Sequence, residues 1–246
     1  MVVDPLQWVF VSLFMMCTPV AMVCVFILGW DAETAAICNS YALSAAFLGL
    51  YLSPLLSPLV TGSFKERLNL ATWNWVVWLT CLTQVGIQIA HSLLVHAWYA
   101  NKGQPLEWPF YAYGLSDSRW SNYTQDNGNT FSLAPEVDLI NFNDGGLGLI
   151  VLVTFLRANK SVGHKIVFIL CTLFRDATIW RETVEYLLVH HHSNYSYSTS
   201  NEHLRAHSII CLYGINGLWL VAPVLTVVWS YLQITEILDG IPKKEN

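Results

Sequence analysis

LCTLFRDATIWRETVEYLLVHHH, Leu170 to His192, is a helix-length apolar run with charge in its middle. It lies between His164-Lys165 and Ser193-Asn194, and its apolar residues would place it in a membrane. Yet Arg175, Asp176, Arg181, Glu182 and Glu185 all fall inside it. An ionisable group at bilayer depth costs about 2.5–3.5 kcal/mol or more unless it pairs or lines a polar cavity. Helical spacings of three and four put Arg175, Thr178, Glu182 and Glu185 on one stripe, and Arg181 and Glu185 form an i,i+4 pair. A lipid-facing helix does not carry these groups. The run is therefore expected to be buried in a helical bundle, facing a polar pocket. The plainer reading stands beside it: the charges neutralise one another and only tie helices together.

The rest of the chain has the composition such a bundle needs. It is 54% hydrophobic and 12% charged over 246 residues, with a mean hydropathy of +0.43, which excludes an ordinary soluble domain. Eleven Trp and eleven Tyr suit interfacial belts. The net charge of −5 and the scattered Lys and Arg give no nucleic-acid footprint. Cys17, Cys24, Cys38, Cys81, Cys171 and Cys211 lie in apolar runs without CxxC spacing, so neither a disulfide framework nor a zinc site is indicated. The first apolar run lacks a basic start and a clear cleavage site, and reads as a retained anchor.

Runs near 20 residues predict an all-α polytopic membrane protein with about six transmembrane helices. The expected spans are Leu6 to Trp30, Ala35 to Val60, Thr72 to Tyr99, Pro135 to Arg157, Lys165 to Val189 and His207 to Ile234. Pro54 and Pro58 interrupt the second, which a bundle tolerates where neighbours satisfy the freed carbonyls. Six spans put Lys65, Arg67, Arg157, Lys160, Lys165, Lys243 and Lys244 on the side of the termini, against Lys102, Arg119 and Arg205 opposite. That bias places the termini in the cytoplasm and the loop Asn101 to Ala134 in the lumen or exterior. The sequons at Asn122 and Asn194 fall on the lumenal side. The chain divides into an extra N-terminal helix (1–34), a helical membrane domain (35–236) and a polar tail (237–246).

Polar residues converge in one leaflet. IAHSLLVHAWY (Ile89 to Tyr99) brings His91 and His96 near the lumenal end of the third span. PEVDLINFNDGG (Pro135 to Gly146) starts the fourth with Glu136 and Asp138, and Pro135 suits a first helical turn. Glu182 and Glu185 lie about two turns from the lumenal end of the fifth span. Asn216 and Trp219 share a face two to three turns into the sixth. At about 1.5 Å per residue these groups overlap in depth. A pocket lined by His91, Glu136, Glu182 or Glu185, Asn216 and Trp219 is expected. A His and a carboxyl group can move protons, and a Trp face can stabilise a cation. Such a set suits protonation of an alkene, passage through a carbocation and loss of a different proton. Each member also has an ordinary role: a packed Trp, an interfacial His, a carboxylate at a helix N-terminus.

YGLSDSRW (Tyr113 to Trp120) resembles a loop signature of the emopamil-binding protein family, the sterol Δ8-Δ7 isomerases of the EXPERA superfamily. NGLWLVAP (Asn216 to Pro223) resembles that family's last helix, N-A-L-W-L-V-x-P. LIVLVTFLR (Leu149 to Arg157) is similar to the end of its third helix, and RDATIWRETVEYLL (Arg175 to Leu188) to its fourth. The similarity covers about Thr72 to Ile234. It implies a five-helix EXPERA-like bundle plus the extra N-terminal helix, an endoplasmic-reticulum membrane location and a sterol-like lipid held between helices. It further implies that Asn216 and Trp219 line the pocket, with Trp219 facing the carbocation, and that the acid of the third helix falls on Glu136 or on Asp138. The family's H-L-V-x-E-G-W becomes H-S-L-L-V-H-A-W here, so that Val95 or His96 stands where its Glu belongs.

The expected function is a cofactor-independent isomerase that moves a double bond in a steroid or terpenoid. His91, Glu136, Glu182 and Glu185 are the candidates for proton transfer, and His96, Asp138, Asp176, Tyr213, Asn216 and Trp219 for substrate binding. The expected partners are the lipid substrate and the bilayer, not nucleic acid; homodimerisation is left open. A membrane terpenoid cyclase using the same cation chemistry and a non-catalytic lipid-binding relative are the alternatives. A di-iron oxygenase is disfavoured. His203 and His207 form one H-x-x-x-H, no H-x-x-H-H occurs, and His190 to His192 sit at a helix exit, so no metal is expected.

Overall fold

The computed structural model describes residues 4–78, 80, 105, 108, 123–124, 130–131, 134–192 and 202–240, with side chains for 4–78, 80, 105, 108, 143–188, 214 and 216–240. Six α-helices are found among them: α1 (Gln7–Phe26), α2 (Ala32–Leu56), α3 (Phe64–Asn74), α4 (Ala134–Arg157), α5 (Val162–His192) and α6 (Glu202–Asp239). Two-residue strands β1 (Tyr123–Thr124) and β2 (Thr130–Phe131) pair antiparallel, with Tyr123 opposite Phe131. The described fold is otherwise helical, and five of the six expected spans coincide with helices to within five residues at each end. Most of the third span, Thr72 to Tyr99, lies outside the described residues.

Local chemistry explains the helix ends. After α1, the Trp30 N–H donates to Cys24 O at 2.9 Å and Gly29 adopts φ +69°, a left-handed cap that glycine takes without a Cβ clash. Asp31 then caps α2, its Oδ2 accepting from Thr34 N at 2.8 Å. Ser63 and Glu66 form a reciprocal capping box at the start of α3. The Ser63 N–H and hydroxyl donate to Glu66, holding its carboxyl below the usual carboxylate range.

Pro54 sits inside the last turn of α2 and does not end the helix. Its ring nitrogen has no proton to give Leu50 O, and the Asn74 side-chain amide donates to that carbonyl at 2.8 Å instead. Arg67 donates to Pro54 O at 2.8 Å and to Ser57 O at 2.9 Å, covering further carbonyls at that helix end.

The helices pack in the order α1, α2, α6, α5, α4, with α3 laid against α2 and α6. One core gathers Phe14, Phe47, Leu50, Tyr51, Trp75, Leu218 and Ala222. A second joins Leu68, Val76, Val151, Phe168, Ile169 and Trp229. Trp108 fills a third, against Ala21, Ala35 and Ala36 beside the α1–α2 turn. It comes from the loop expected on the side opposite the termini. At the other end, Lys65 bridges to Glu236 at 3.1 Å, and Ala158 packs with Ile237 against the second core. Lys65, Arg67, Arg157, Lys160 and Lys165 therefore belong to one end of the bundle.

Among the described residues, three helices are long and apolar enough to cross a membrane: Gln7–Phe26, Ala32–Leu56 and Asn216–Asp239 of α6. The outward faces of α1 and α6 bear Met15, Met16, Val20, Val221, Val224, Val227 and Tyr231, all exposed. Surfaces so apolar suit lipid better than water. The five ionisable residues Arg175, Asp176, Arg181, Glu182 and Glu185 in its middle make α5 unlike these three.

Candidate functional site

The chain winds α3 onward into a π-helical turn at 75–78, a feature frequent at functional sites. The Thr80 hydroxyl donates to Trp75 O at 2.9 Å across the widened turn. This turn carries Trp75, fully buried, into the middle of the bundle. There it meets the charged centre of α5.

Arg175 and Asp176 are 0% and 1% exposed. The Arg175 Nε donates to Asp176 Oδ1 at 2.7 Å, a second guanidinium nitrogen bonds the same carboxylate, and a third bonds Thr80 Oγ1. The guanidinium also lies 5.7 Å from the Trp75 ring centroid, within cation–π range. The Trp75 Nε1–H donates to the Asp176 carboxylate at 3.1 Å. Both charges are thus paired and hydrogen-bonded, the condition for holding them out of water. Trp75 then packs against Trp219 with ring centroids 4.8 Å apart, and against Tyr51 at 5.7 Å.

A second group of acids lies beside this pair. Asp144 of α4 is buried, and its carboxyl meets that of Glu182 of α5 within hydrogen-bonding reach, with the Arg175 charge also acting on it. Asn143 Nδ2 donates to Glu182 Oε1 at 3.4 Å, a long contact. Asp144 Oδ1 and Glu182 Oε2 are buried without a hydrogen-bond donor. Arg175, Asp176, Trp75 and Trp219 therefore form one connected chain of contacts, and the Asp144–Glu182 acids lie beside it within reach of the Arg175 charge.

A cleft of about 230 Å³ abuts this centre, lined by Leu173, Asp176, Ala177, Trp180, Pro223, Val224 and Val227. Asp176 is its one ionisable wall, and Trp180, Val224 and Val227 at its mouth are exposed. Its volume is below the roughly 300–1,000 Å³ of a whole-ligand pocket.

The expected site residues distribute unevenly. Glu182 joins Asp144 and Asn143, Asp176 joins Trp75, and Trp219 stacks on Trp75. Asn216 is buried one turn from Trp219 on α6. Glu185 is exposed and paired with Arg181 at 3.0 Å, their side chains 58% and 73% exposed. The stripe from Arg175 to Glu185 thus passes from the interior to the surface. Glu136, Asp138 and Tyr213 lie in α4 and α6, with their side chains outside the described set, and His91 and His96 lie outside the described residues. No group of three metal-ligating side chains occurs among the described residues.

Asp144, Trp75 and Thr80 were missed from sequence. The Asp144 signal was present: an ionisable residue inside an apolar run is a site candidate by position. Trp75 and Thr80 gave none, since Trp is abundant here and the π turn leaves no local signature. No protein-family model, curated protein or solved structure matches the chain.

Proposed function

We propose that the chain is a multi-pass membrane isomerase, of the endoplasmic reticulum, that moves a double bond in a steroid or terpenoid lipid without a cofactor. The observation that carries this reading is an acid group, Asp144 and Glu182, set beside a buried ion pair, Arg175 and Asp176, that is in turn bonded to the aromatic pair Trp75 and Trp219. A carboxylic acid in this position gives its proton to an alkene carbon. The π pair forms the new C–H bond, and the O–H pair stays on the carboxylate. The cation left on the neighbouring carbon is stabilised by indole faces, worth about 2 kcal/mol or more when desolvated. A carboxylate then removes a proton from the carbon beyond, and the C–H pair becomes the shifted double bond. The acid is regenerated and no electrons are gained or lost.

The apolar cleft beside Asp176 supports lateral entry of a lipid from the bilayer. The basic end formed by Lys65, Arg67, Arg157, Lys160 and Lys165 supports cytoplasmic termini under the positive-inside rule. The same acid and aromatic groups also suit cyclisation of a terpenoid, because both reactions begin with a protonated alkene or epoxide.

Lipid analysis of cells with and without the gene tests the reading. A lipid with its double bond moved at unchanged mass is the expected result. A new ring at unchanged mass would replace the isomerase with a cyclase. An unchanged lipid profile, with ligand binding retained, would leave a binding protein.

A further inference from the structure

We propose that Asp144 and Glu182 hold one proton between them, and that this dyad is the acid that starts the reaction. The first half stands on geometry; the second rests on the isomerase reading. Asp144 is 7% exposed and lies where α4 packs on α5. Its carboxyl reaches that of Glu182, and each group has a buried oxygen without a donor. The Asn143 amide reaches only Glu182 Oε1, at 3.4 Å. Arg175 does not bond to either acid: it is committed to Asp176 and Thr80.

Two ionised carboxylates at such a contact would repel strongly in a low-dielectric interior. Buried oxygens without donors add a further penalty. One shared proton removes both problems. It makes an O–H···O⁻ bond, the short and strong kind, and gives the two oxygens a donor in common. The proton belongs to the pair rather than to either residue. In the surroundings, Arg175 and Asp176 cancel, so the protonated dyad carries one net negative charge. When the proton passes to an alkene, the dyad carries two, and the new positive charge forms in their field. Return of a proton from the substrate restores the starting state. Glu182 alone, paired with water, would not be poised in this way.

Infrared difference spectroscopy of the full-length protein in detergent, in H₂O and in D₂O, reads the proton directly. The wild type should show a protonated-carboxyl C=O band that shifts on deuteration. Asp144→Asn should remove it, and Glu182→Gln should shift its frequency, because the proton on the buried Asp144 then no longer bonds to a carboxylate. A band unchanged in both variants, or absent from the wild type, overturns the dyad. Should Asp144→Asn not fold, as judged by elution and melting, Glu182→Gln carries the test alone.

Turnover of the lipid gives the second readout. Each single variant should lose at least about a hundredfold, as for loss of a general acid. The double variant should fall no further, since members of one unit are not additive. Multiplying losses would overturn the dyad's action as one acid. A dyad band with no lipid conversion by the wild type would retain the shared proton and remove the isomerase reading. Lipid conversion that survives both substitutions would retain the isomerase and remove the dyad from its mechanism.

Discussion

The α1–α2 contact and the α4–α5 contact bring helices together by opposite means. Between α1 and α2, Phe14 meets Phe47 with centroids 5.1 Å apart, and Phe10 fills the space a Cβ would need at Gly49. The interhelical side-chain hydrogen bond there, Thr18 Oγ1 to Asn39 Oδ1, is 3.2 Å long. Between α4 and α5 the centre is Asp144, Glu182 and Asn143, next to the fully buried Arg175 and Asp176. Helices pair well by apolar packing and an uncharged hydrogen bond, as α1 and α2 do, so pairing does not require charge at the second contact. Replacing a buried ion pair by apolar residues is often neutral or stabilising. A charged centre at this contact is what the proposed proton chemistry requires and what apolar packing does not.

Arg175→Met gives the largest expected effect. It strands the Asp176 carboxylate in the interior and should cost about 3–5 kcal/mol, the usual result of breaking a buried pair. Chemical unfolding in detergent checks this. Arg175→Met combined with Asp176→Leu should recover most of the loss while leaving the protein inactive. Recovery of activity as well would make the pair purely structural and erase the contrast.

Trp219→Leu comes next. In the proposed mechanism it removes a cation-stabilising face worth about 2 kcal/mol or more, and at 1.36 kcal/mol per tenfold in rate turnover should fall at least about thirtyfold. Trp219→Phe should lose less, and binding of an amine that mimics the cation should weaken in parallel. Equal rates for Leu and Phe variants, on protein shown to be folded, would reduce Trp219 to packing.

Gly49→Ala tests the apolar side of the comparison. The added methyl overlaps the Phe10 ring, and overpacking costs about 1–3 kcal/mol. Melting temperature should drop with turnover unchanged in the folded fraction, and Phe10→Ala should restore it. A loss of turnover without a loss of stability would couple α1 to the site.

The smallest effect belongs to an exposed carboxylate. Glu66 is held below its ordinary pKa by the Ser63 donors. Its contribution is therefore present above the unfolded Glu value, about 4.3, and is lost as pH falls through the lower folded value. Melting curves from pH 6 down to pH 3 should show a slightly smaller acid loss for Glu66→Gln than for the wild type. A large difference would give a surface cap the weight reserved here for buried acids.

Much of the helical layout was legible because it is local. Apolar run length, Pro135 in a first turn and the charges inside Leu170 to His192 set helix positions and showed that α5 faces a polar interior. The pairing Arg181–Glu185 also followed from spacing, although it lies at the surface. Sequence showed too that Pro54 frees a carbonyl, since a missing N–H is a property of the residue itself. Only the tertiary structure decided that Asn74 supplies the donor. It alone separated Glu182 from Glu185: they lie one turn apart on one stripe, and burial depends on which neighbour covers that turn. It also brought Asp144 to Glu182 and Trp75 to Asp176, across 38 and 101 positions of chain. Helical periodicity specifies which side chains share a face; the packing of one helix on another specifies what that face meets.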